Sequence, residues 1–342
     1  AFLSAAGLGA VVFGILRSSQ WGWIAPSASA PFTLLGLSPV IWLISGGLVL
    51  LGLFARYEQG MIASGREPLL DVRLLKIPPM RAGLITYLCQ QFIIMGTFFV
   101  LPLYLQTVLG YDALETGIVL LPLSLALLVF ALGGARLAGR YSPRRIVMAG
   151  LLAMLSGLVL LIAFTGPDLR SAGFAFALAL VGAGNGLMVS QLGNVIMSSV
   201  PAERGSEAGG LQGTAMNLGA SLGVALIGSI LIASLVGGFQ KAVLADPALA
   251  AVAPQLTAQA EANANFVTVE QVTLAAEQAG LSPEEVAAVT EYYASAQIMA
   301  LKVAFAALAF FALLALWYVQ TLPERVDGAK PADKLLPAGA TG

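Results

Sequence analysis

The sequence predicts an all-α integral membrane protein, and three observations lead to this fold class. Only 10% of the 342 residues are charged and 58% are hydrophobic, whereas a water-soluble chain carries about 25% charged residues. The apolar residues form long uninterrupted runs, and the basic residues gather in the loops on one side of those runs. A soluble protein with an unusually large apolar core does not fit this arrangement.

Eight apolar runs are candidates for membrane-spanning helices. A helix needs about 20 apolar residues to cross a bilayer, and the first run is the only short one. No Asp or Glu falls within any run, and the one lysine, Lys302, lies near the start of the last run, where its stem can reach the interface. The predicted spans are 1–16, 33–55, 82–107, 117–135, 146–165, 172–198, 208–236 and 296–320.

The basic residues fix the orientation of these spans. If residues 17–32 lie outside and the spans alternate, 13 of the 17 basic residues fall inside, as the positive-inside rule requires for the cytoplasmic side. The four outside are Arg17, Arg170, Lys241 and Lys302. Two longer segments link the spans, 56–81 on the inside and 237–295 on the outside.

The outer segment 237–295 contains signals for helices of its own. Thr268 and Ser282 each precede a Gln or Glu by three residues, which is the pattern of a capping box, and Pro283 occupies a favoured first helical position. Gly280 stands where the first of these helices should stop. We therefore expect a folded segment here.

Several classes of function are excluded by composition. The chain has no His and one Cys, Cys89, so it offers neither a disulfide nor a cluster with metal-ligand spacing. An intramembrane enzyme would lack a nucleophile and base pair. The net charge of −1 gives no sign of nucleic-acid binding, and no cofactor is expected.

Two spans carry stripes of small residues at helical spacing. Helices in lipid associate through the close backbone approach that small residues permit, and residues four apart share one helix face. These stripes predict tight packing, in either a static or a moving interface. The predicted packing residues are Gly182, Gly186, Ser190, Gly209, Gly213 and Ser221.

Amides concentrate in spans 82–107, 172–198 and 208–236. Burying an unsatisfied amide costs several kcal/mol, so these helices should face each other or a wet cavity, while the bare spans 33–55 and 146–165 should face lipid. Interhelical hydrogen bonding, worth about 0.6 kcal/mol on average, is the alternative role. Methionines would add adaptable apolar walls. The predicted substrate-pathway residues are Gln90, Gln91, Met95, Met188, Gln191, Asn194 and Asn217.

Residues 181–231, VGAGNGLMVSQLGNVIMSSVPAERGSEAGGLQGTAMNLGASLGVALIGSIL, closely resemble part of a known family. The segments 71–75 (DVRLL), 120–122 (LLP) and 200–205 (VPAERG) match its pattern as well. The family is that of the fourteen-helix drug:proton antiporters of the major facilitator superfamily, in their C-terminal half. The resemblance covers essentially the whole chain.

This resemblance implies a division of the chain and a function. Residues 1–80 would be two linker helices with a cytoplasmic loop, and 81–342 the C-terminal six-helix half, whose first and fourth helices line the cavity. The implied function is proton-coupled efflux of lipophilic or cationic drug-like compounds by alternating access across the bacterial cytoplasmic membrane. The partners would be a small-molecule substrate, protons, the bilayer and an N-terminal half absent from this sequence. Either that half holds the coupling acid, or transport is not coupled to protons. A non-transporting scaffold or receptor, or an exporter of one metabolite, stays open.

The inside loop 137–145 is similar to the superfamily's cytoplasmic loop signature. Its basic residues are Arg140, Arg144 and Arg145, while Gly139 and Ser142 depart from the family's Asp and Gly. The alternative reading of these arginines is the positive-inside bias alone.

Overall fold

The computed structural model describes residues 2–26, 30–64, 71–166, 171–262 and 266–322. Ten α-helices and four short 3-10 helices build these ranges. The α-helices are α1 (Phe2–Trp21), α2 (Pro39–Ala63), α3 (Pro78–Thr107), α4 (Ala113–Leu137), α5 (Pro143–Phe164), α6 (Ala172–Met197), α7 (Gly205–Ala245), α8 (Ala253–Ala262), α9 (Val269–Gln278) and α10 (Pro283–Tyr318).

The helices confirm the all-α membrane fold, although one of the eight predicted spans is shorter than the others. Seven of those described, α2 to α7 and α10, are long and apolar enough to cross a membrane, and α1 contributes a shorter apolar stretch, Phe2–Ser18. Eight spans is therefore an approximate count.

The helix starts follow local sequence signals. Asp112 and Glu115 form a capping box at the start of α4, and serine side chains accept a backbone N–H at the starts of α5 and α6. Such caps satisfy donors that the first helical turn leaves free. Helix ends are thereby set at the edges of the apolar runs.

The helices pack in two rows joined at the centre. In one row α6 lies between α4 and α5, and the other consists of α3, α7 and α10, which all contact one another. The rows meet where α10 contacts α5 and where α3 contacts α6, while α1 packs on α7 and α2 on α1. The cores of both rows form one continuous apolar cluster.

Only one of the two spans without amides or charges is as exposed as a lipid-facing helix should be. The apolar window of α2 is only 17% buried, in accord with a lipid-facing helix, but that of α5 is 44% buried. The reason is that α5 packs against both α6 and α10. The most exposed window, 11% buried, belongs to α4, whose main neighbour is α6.

The predicted outer segment is more helical than expected. Helix α7 has 41 residues and α10 has 36, which at about 1.5 Å per residue makes them about 60 and 54 Å long. A hydrocarbon core about 30 Å thick leaves part of each helix outside it. The ends of α7 and α10, together with α8 and α9, form a structure that we call the outer cap (residues 237–262 and 266–295).

Local signals in the outer cap match its helices. Both predicted capping boxes are present, at Thr268 with Gln271 and at Ser282 with Glu285. Gly280 adopts a φ of +78° just after α9, in the left-handed region that glycine favours at helix ends. Both long helices continue through residues 237 and 295, so their ends lie beyond the limits of the predicted spans.

Candidate substrate pathway

A buried amide pair joins α3 to α6 near the middle of both helices. The Gln90 Nε2 atom donates a hydrogen bond to Asn185 Oδ1 at 2.6 Å, and both side chains are buried. The Gln90 Oε1 and Thr86 Oγ1 atoms are also buried, with no hydrogen-bond partner among the described residues. The centre of the bundle therefore contains a polar contact and two oxygen atoms that could accept further hydrogen bonds.

Two predicted pathway residues are taken up by helix packing instead. Gln191 is 1% exposed, and its Nε2 donates to the Gly134 carbonyl of α4 at 3.0 Å. Met188 is fully buried, and a Cβ added at Gly150 of α5 would lie 3.0 Å from its Cγ. In this conformation neither side chain can touch a substrate, because each faces a neighbouring helix.

Four other predicted pathway residues are accessible. Asn194 of α6 and Asn217 of α7 are exposed, while Gln91 and Met95 of α3 are half-buried. The Asn217 Nδ2 atom donates only within its own helix, to the Gly213 carbonyl at 2.9 Å. An amide turned toward lipid would keep polar atoms unsatisfied at a cost of several kcal/mol. The faces that carry Asn194 and Asn217 should therefore adjoin water or protein.

Glycines of α6 bring helix backbones together. A Cβ added at Gly182 would collide with the Leu123 carbonyl of α4, and one at Gly186 would collide with the Leu127 carbonyl. On the same face, Ser190 Oγ lies where a Cβ at Gly134 would collide. This stripe faces α4 throughout.

The stripe on α7 is arranged differently from the prediction. A Cβ at Gly209 or Gly213 would meet nothing within 4 Å, while one at Gly219 or Gly223 would collide with the α3 backbone. Positions 219 and 223 lie two residues beyond 217 and 221, about 200° around the helix. The predicted stripe, which ends at the half-buried Ser221, therefore leaves an open face at Gly209 and Gly213 and makes no tight seam there.

Ion pairs on the predicted cytoplasmic side join two segments that lie far apart in sequence. The Arg204 Nη2 atom lies 2.9 Å from Asp71 Oδ2, and Arg204 Nε lies 2.9 Å from Glu207 Oε1. The Asp71 backbone N–H also donates to Glu207 Oε2 at 3.0 Å. We call Asp71, Arg204 and Glu207 the cytoplasmic cluster; it ties the segment before α3 to the start of α7.

The charge state of Asp71 follows from this setting. Burial raises the pKa of Asp71, but hydrogen bonds from the Arg73 backbone and from the Arg204 and Arg73 side chains outweigh it, so the pKa lies below its ordinary value. Asp71 is thus a carboxylate at neutral pH. The sequence does not reveal this pairing, because 133 positions separate Asp71 from Arg204.

The loop between α4 and α5 exposes its basic residues. Arg140 and Arg145 are exposed and Arg144 is half-buried. Ser142 caps α5 by accepting the Arg145 N–H. The loop thus presents positive charge beside the predicted cytoplasmic surface.

Comparison with known proteins agrees with this architecture. Residues 1–224 match the Major Facilitator Superfamily. The tetracenomycin C resistance and export protein of Streptomyces glaucescens is 30% identical over 97% of this chain and 57% of its own length. The uncharacterized transporter YebQ of Escherichia coli is 33% identical over 67% of this chain and 47% of its own.

A third relative is the multidrug resistance protein Stp of Mycobacterium tuberculosis, 27% identical over 67% of this chain and 39% of its own length. The chain thus spans about half the length of the curated relatives it matches. The family consists of membrane transporters of small molecules and not of enzymes, in keeping with the apolar helices described above. The chain is a multi-pass bacterial membrane protein and belongs to the Major Facilitator Superfamily.

Proposed function

We propose that this chain is the C-terminal part of a fourteen-helix drug:proton antiporter, which exports lipophilic or cationic drug-like compounds by alternating access. Relatives named for multidrug resistance and antibiotic export support the substrate class. The matched regions cover only 57% and 39% of these two relatives, which supports an additional N-terminal half in the complete protein. The packing of α1 on α7 is consistent with residues 1–80 forming a linker pair beside the six-helix half.

The observation that carries the proposal is the pair of exposed amides on α6 and α7. Asn194 and Asn217 lie within predicted spans and are nonetheless exposed. Lipid cannot satisfy them, whereas a water-filled pathway between two halves can. Gln91 and Met95, half-buried on α3, would complete one wall of that pathway with a soft apolar side chain.

The moving elements would be the two halves of the whole carrier. The six helices of this half are held together by glycine contacts and by the Gln90 to Asn185 bond, so this half moves as one body. The open face at Gly209 and Gly213, which also carries Asn217, would then border the water-filled pathway between the two halves. Rocking of two such bodies around a central site is the usual form of alternating access.

The energy source would be a proton gradient. The predicted spans of this chain contain no Asp or Glu, and a proton relay in a membrane usually needs such a residue. We therefore place the coupling acid in the N-terminal half; Glu58, which is buried in α2, lies beyond the predicted span 33–55. The exposed arginines at 140 and 145 would serve the cytoplasmic surface of the carrier.

Dye efflux from cells that express the complete native protein tests the proposal. Asn194→Ala and Asn217→Ala should each lower the efflux rate at least threefold while leaving expression and thermal stability unchanged. The matched control is Gln278→Ala, which removes an exposed amide from α9 in the outer cap and should leave efflux as it is.

Two outcomes would count against the proposal. Unchanged efflux in both asparagine variants would remove the assigned pathway. No efflux of any compound by the intact protein would favour a scaffold or receptor, while export of a single metabolite would narrow the substrate class.

A further inference from the structure

The outer cap contains an apolar cavity of about 190 Å³. All four helices of the cap contribute to its walls, with Phe239 from α7, Leu256 from α8, Ala276 from α9 and Tyr293 from α10. This cavity lies apart from the amide-bearing helices at the centre of the bundle. Leu235, at the outer end of the predicted span 208–236, is one of its lining residues. The cavity would therefore lie at the outer surface of the bilayer.

Small side chains on α9 create this space. The residues that α9 turns toward the cavity are Val272, Ala275 and Ala276, which recur at the spacing of a single helix face. Ala279, just after the helix, continues this wall. Voids larger than a water molecule are few in protein interiors, because their lining loses van der Waals contacts. A ligand in the cavity would restore those contacts.

Hydrogen bonds and ring contacts fix the opposite wall. The Tyr293 hydroxyl accepts the Val267 backbone N–H at 3.1 Å, and Gln297 Nε2 donates to the Val267 carbonyl at 2.8 Å. The Tyr293 ring meets the Phe239 ring edge to face, with centroids 5.8 Å apart. The Tyr293 hydroxyl is thus engaged, and the aromatic surface is what remains for a ligand.

The lining determines the chemistry of that ligand. No charged side chain is found among the lining residues in the part of the chain that the structure describes, and a charged ligand would lose its hydration without gaining a partner. A dry apolar cavity of about 150 Å³ is known to bind benzene. The present cavity is of similar size but is partly open, and Ala275 of its lining is exposed.

We propose that the outer cap binds a neutral apolar molecule of one or two rings in the cavity between α7, α8, α9 and α10. The ligand would enter from the outer surface of the bilayer, past Ala275. This site is separate from the proposed transport pathway and does not depend on it. A flat aromatic molecule fits it best, since rings pack well against the edges of Phe239 and Tyr293.

Thiol labelling at the mouth of the cavity tests the proposal. The complete protein in lipid nanodiscs would carry Cys89→Ser, to remove the only native cysteine of this chain, and Ala275→Cys as the reporter. Saturating naphthalene should slow the maleimide labelling of this cysteine at least fivefold. The control reporter is Ala258→Cys, which is exposed on α8 outside the cavity lining and should label at the same rate with or without naphthalene.

A second variant checks that the protection arises inside the cavity. Ala276→Leu extends a buried side chain into the space and should abolish the protection, with thermal stability equal to or above that of Ala258→Leu. Protection that persists in Ala276→Leu, or that also appears at Ala258→Cys, would overturn the proposal.

A lipid tail is the alternative occupant of the cavity. Labelling at Ala275→Cys that is slow in nanodiscs without naphthalene, and fast in lipid-free detergent, would assign the cavity to an acyl chain and overturn the small-molecule site.

Discussion

Adding one methyl group at Gly182 tests whether α6 and α4 are in backbone contact. The Gly182→Ala variant would place a Cβ against the Leu123 carbonyl, closer than real side chains approach a backbone atom. A backbone carbonyl cannot rotate away as a side chain can, so one helix must shift. Such overpacking costs about 1–3 kcal/mol.

The matched control is Gly213→Ala on α7. Its added Cβ would meet nothing within 4 Å, so the overpacking cost is absent. Both substitutions gain about the same helix propensity, up to about 1 kcal/mol over glycine, and this gain cancels when the two variants are compared. Gly182→Ala should therefore be about 1–3 kcal/mol less stable than Gly213→Ala.

Thermal unfolding followed by tryptophan fluorescence measures this difference. At about 2–4 °C per kcal/mol, the Tm of Gly182→Ala should lie roughly 2–12 °C below that of Gly213→Ala. Equal Tm values for the two variants would refute the reasoning, because they would show that α6 and α4 are not in backbone contact at position 182.

Three further predictions concern the polar contacts. A double-mutant cycle of Gln90→Ala and Asn185→Ala should give a coupling free energy of about 0.6 kcal/mol and no more than about 1.7; zero coupling in thermal unfolding would deny the bond. Arg204→Ala should lower the free energy of unfolding by about 1–3 kcal/mol, because it removes the cation paired with Glu207 and leaves Asp71 with Arg73 alone; Arg204→Lys should restore part of this free energy. The stability that Asp71 confers over Asp71→Asn should be complete at neutral pH and vanish as the pH falls below the ordinary value of 3.8, since folding lowers the pKa of this carboxyl; a difference that persists in acid would contradict this.

The sequence predicted helices and their ends well where one local signal sufficed. Apolar runs identify the spans, and the capping boxes at Thr268 and Ser282 mark helix starts wherever the rest of the chain lies. The limits of α7 and α10 escaped prediction because hydropathy reports where lipid ends and not where a helix ends. Their outer turns are stabilised by packing against α8 and α9, which hydropathy does not register.

The sequence predicted which residue types occur in the candidate pathway better than it predicted which way their side chains face. A pattern of glycines or amides shows which helices have a closely packing face or a polar face. Which helix contacts that face depends on how the helices are rotated in the bundle. Gln191 and Asn194 are three residues apart on α6, yet one is buried against α4 and the other is exposed. The α7 contacts at Gly219 and Gly223 likewise needed the position of α3.

The cytoplasmic cluster was beyond sequence reasoning for a different reason. Asp71 and Arg204 each occur among other charged residues of inside loops, and any of these could pair. Only the arrangement of α3 against α7 brings these two within 2.9 Å.

Transport by the complete native protein in proteoliposomes is the most direct test of the central claim. An imposed pH gradient should drive accumulation of a lipophilic cationic dye, collapse of the gradient should abolish it, and Asn217→Ala should reduce its initial rate at least threefold. Dye movement that is indifferent to both the gradient and Asn217 would contradict the account of a proton-driven carrier with its pathway along α6 and α7.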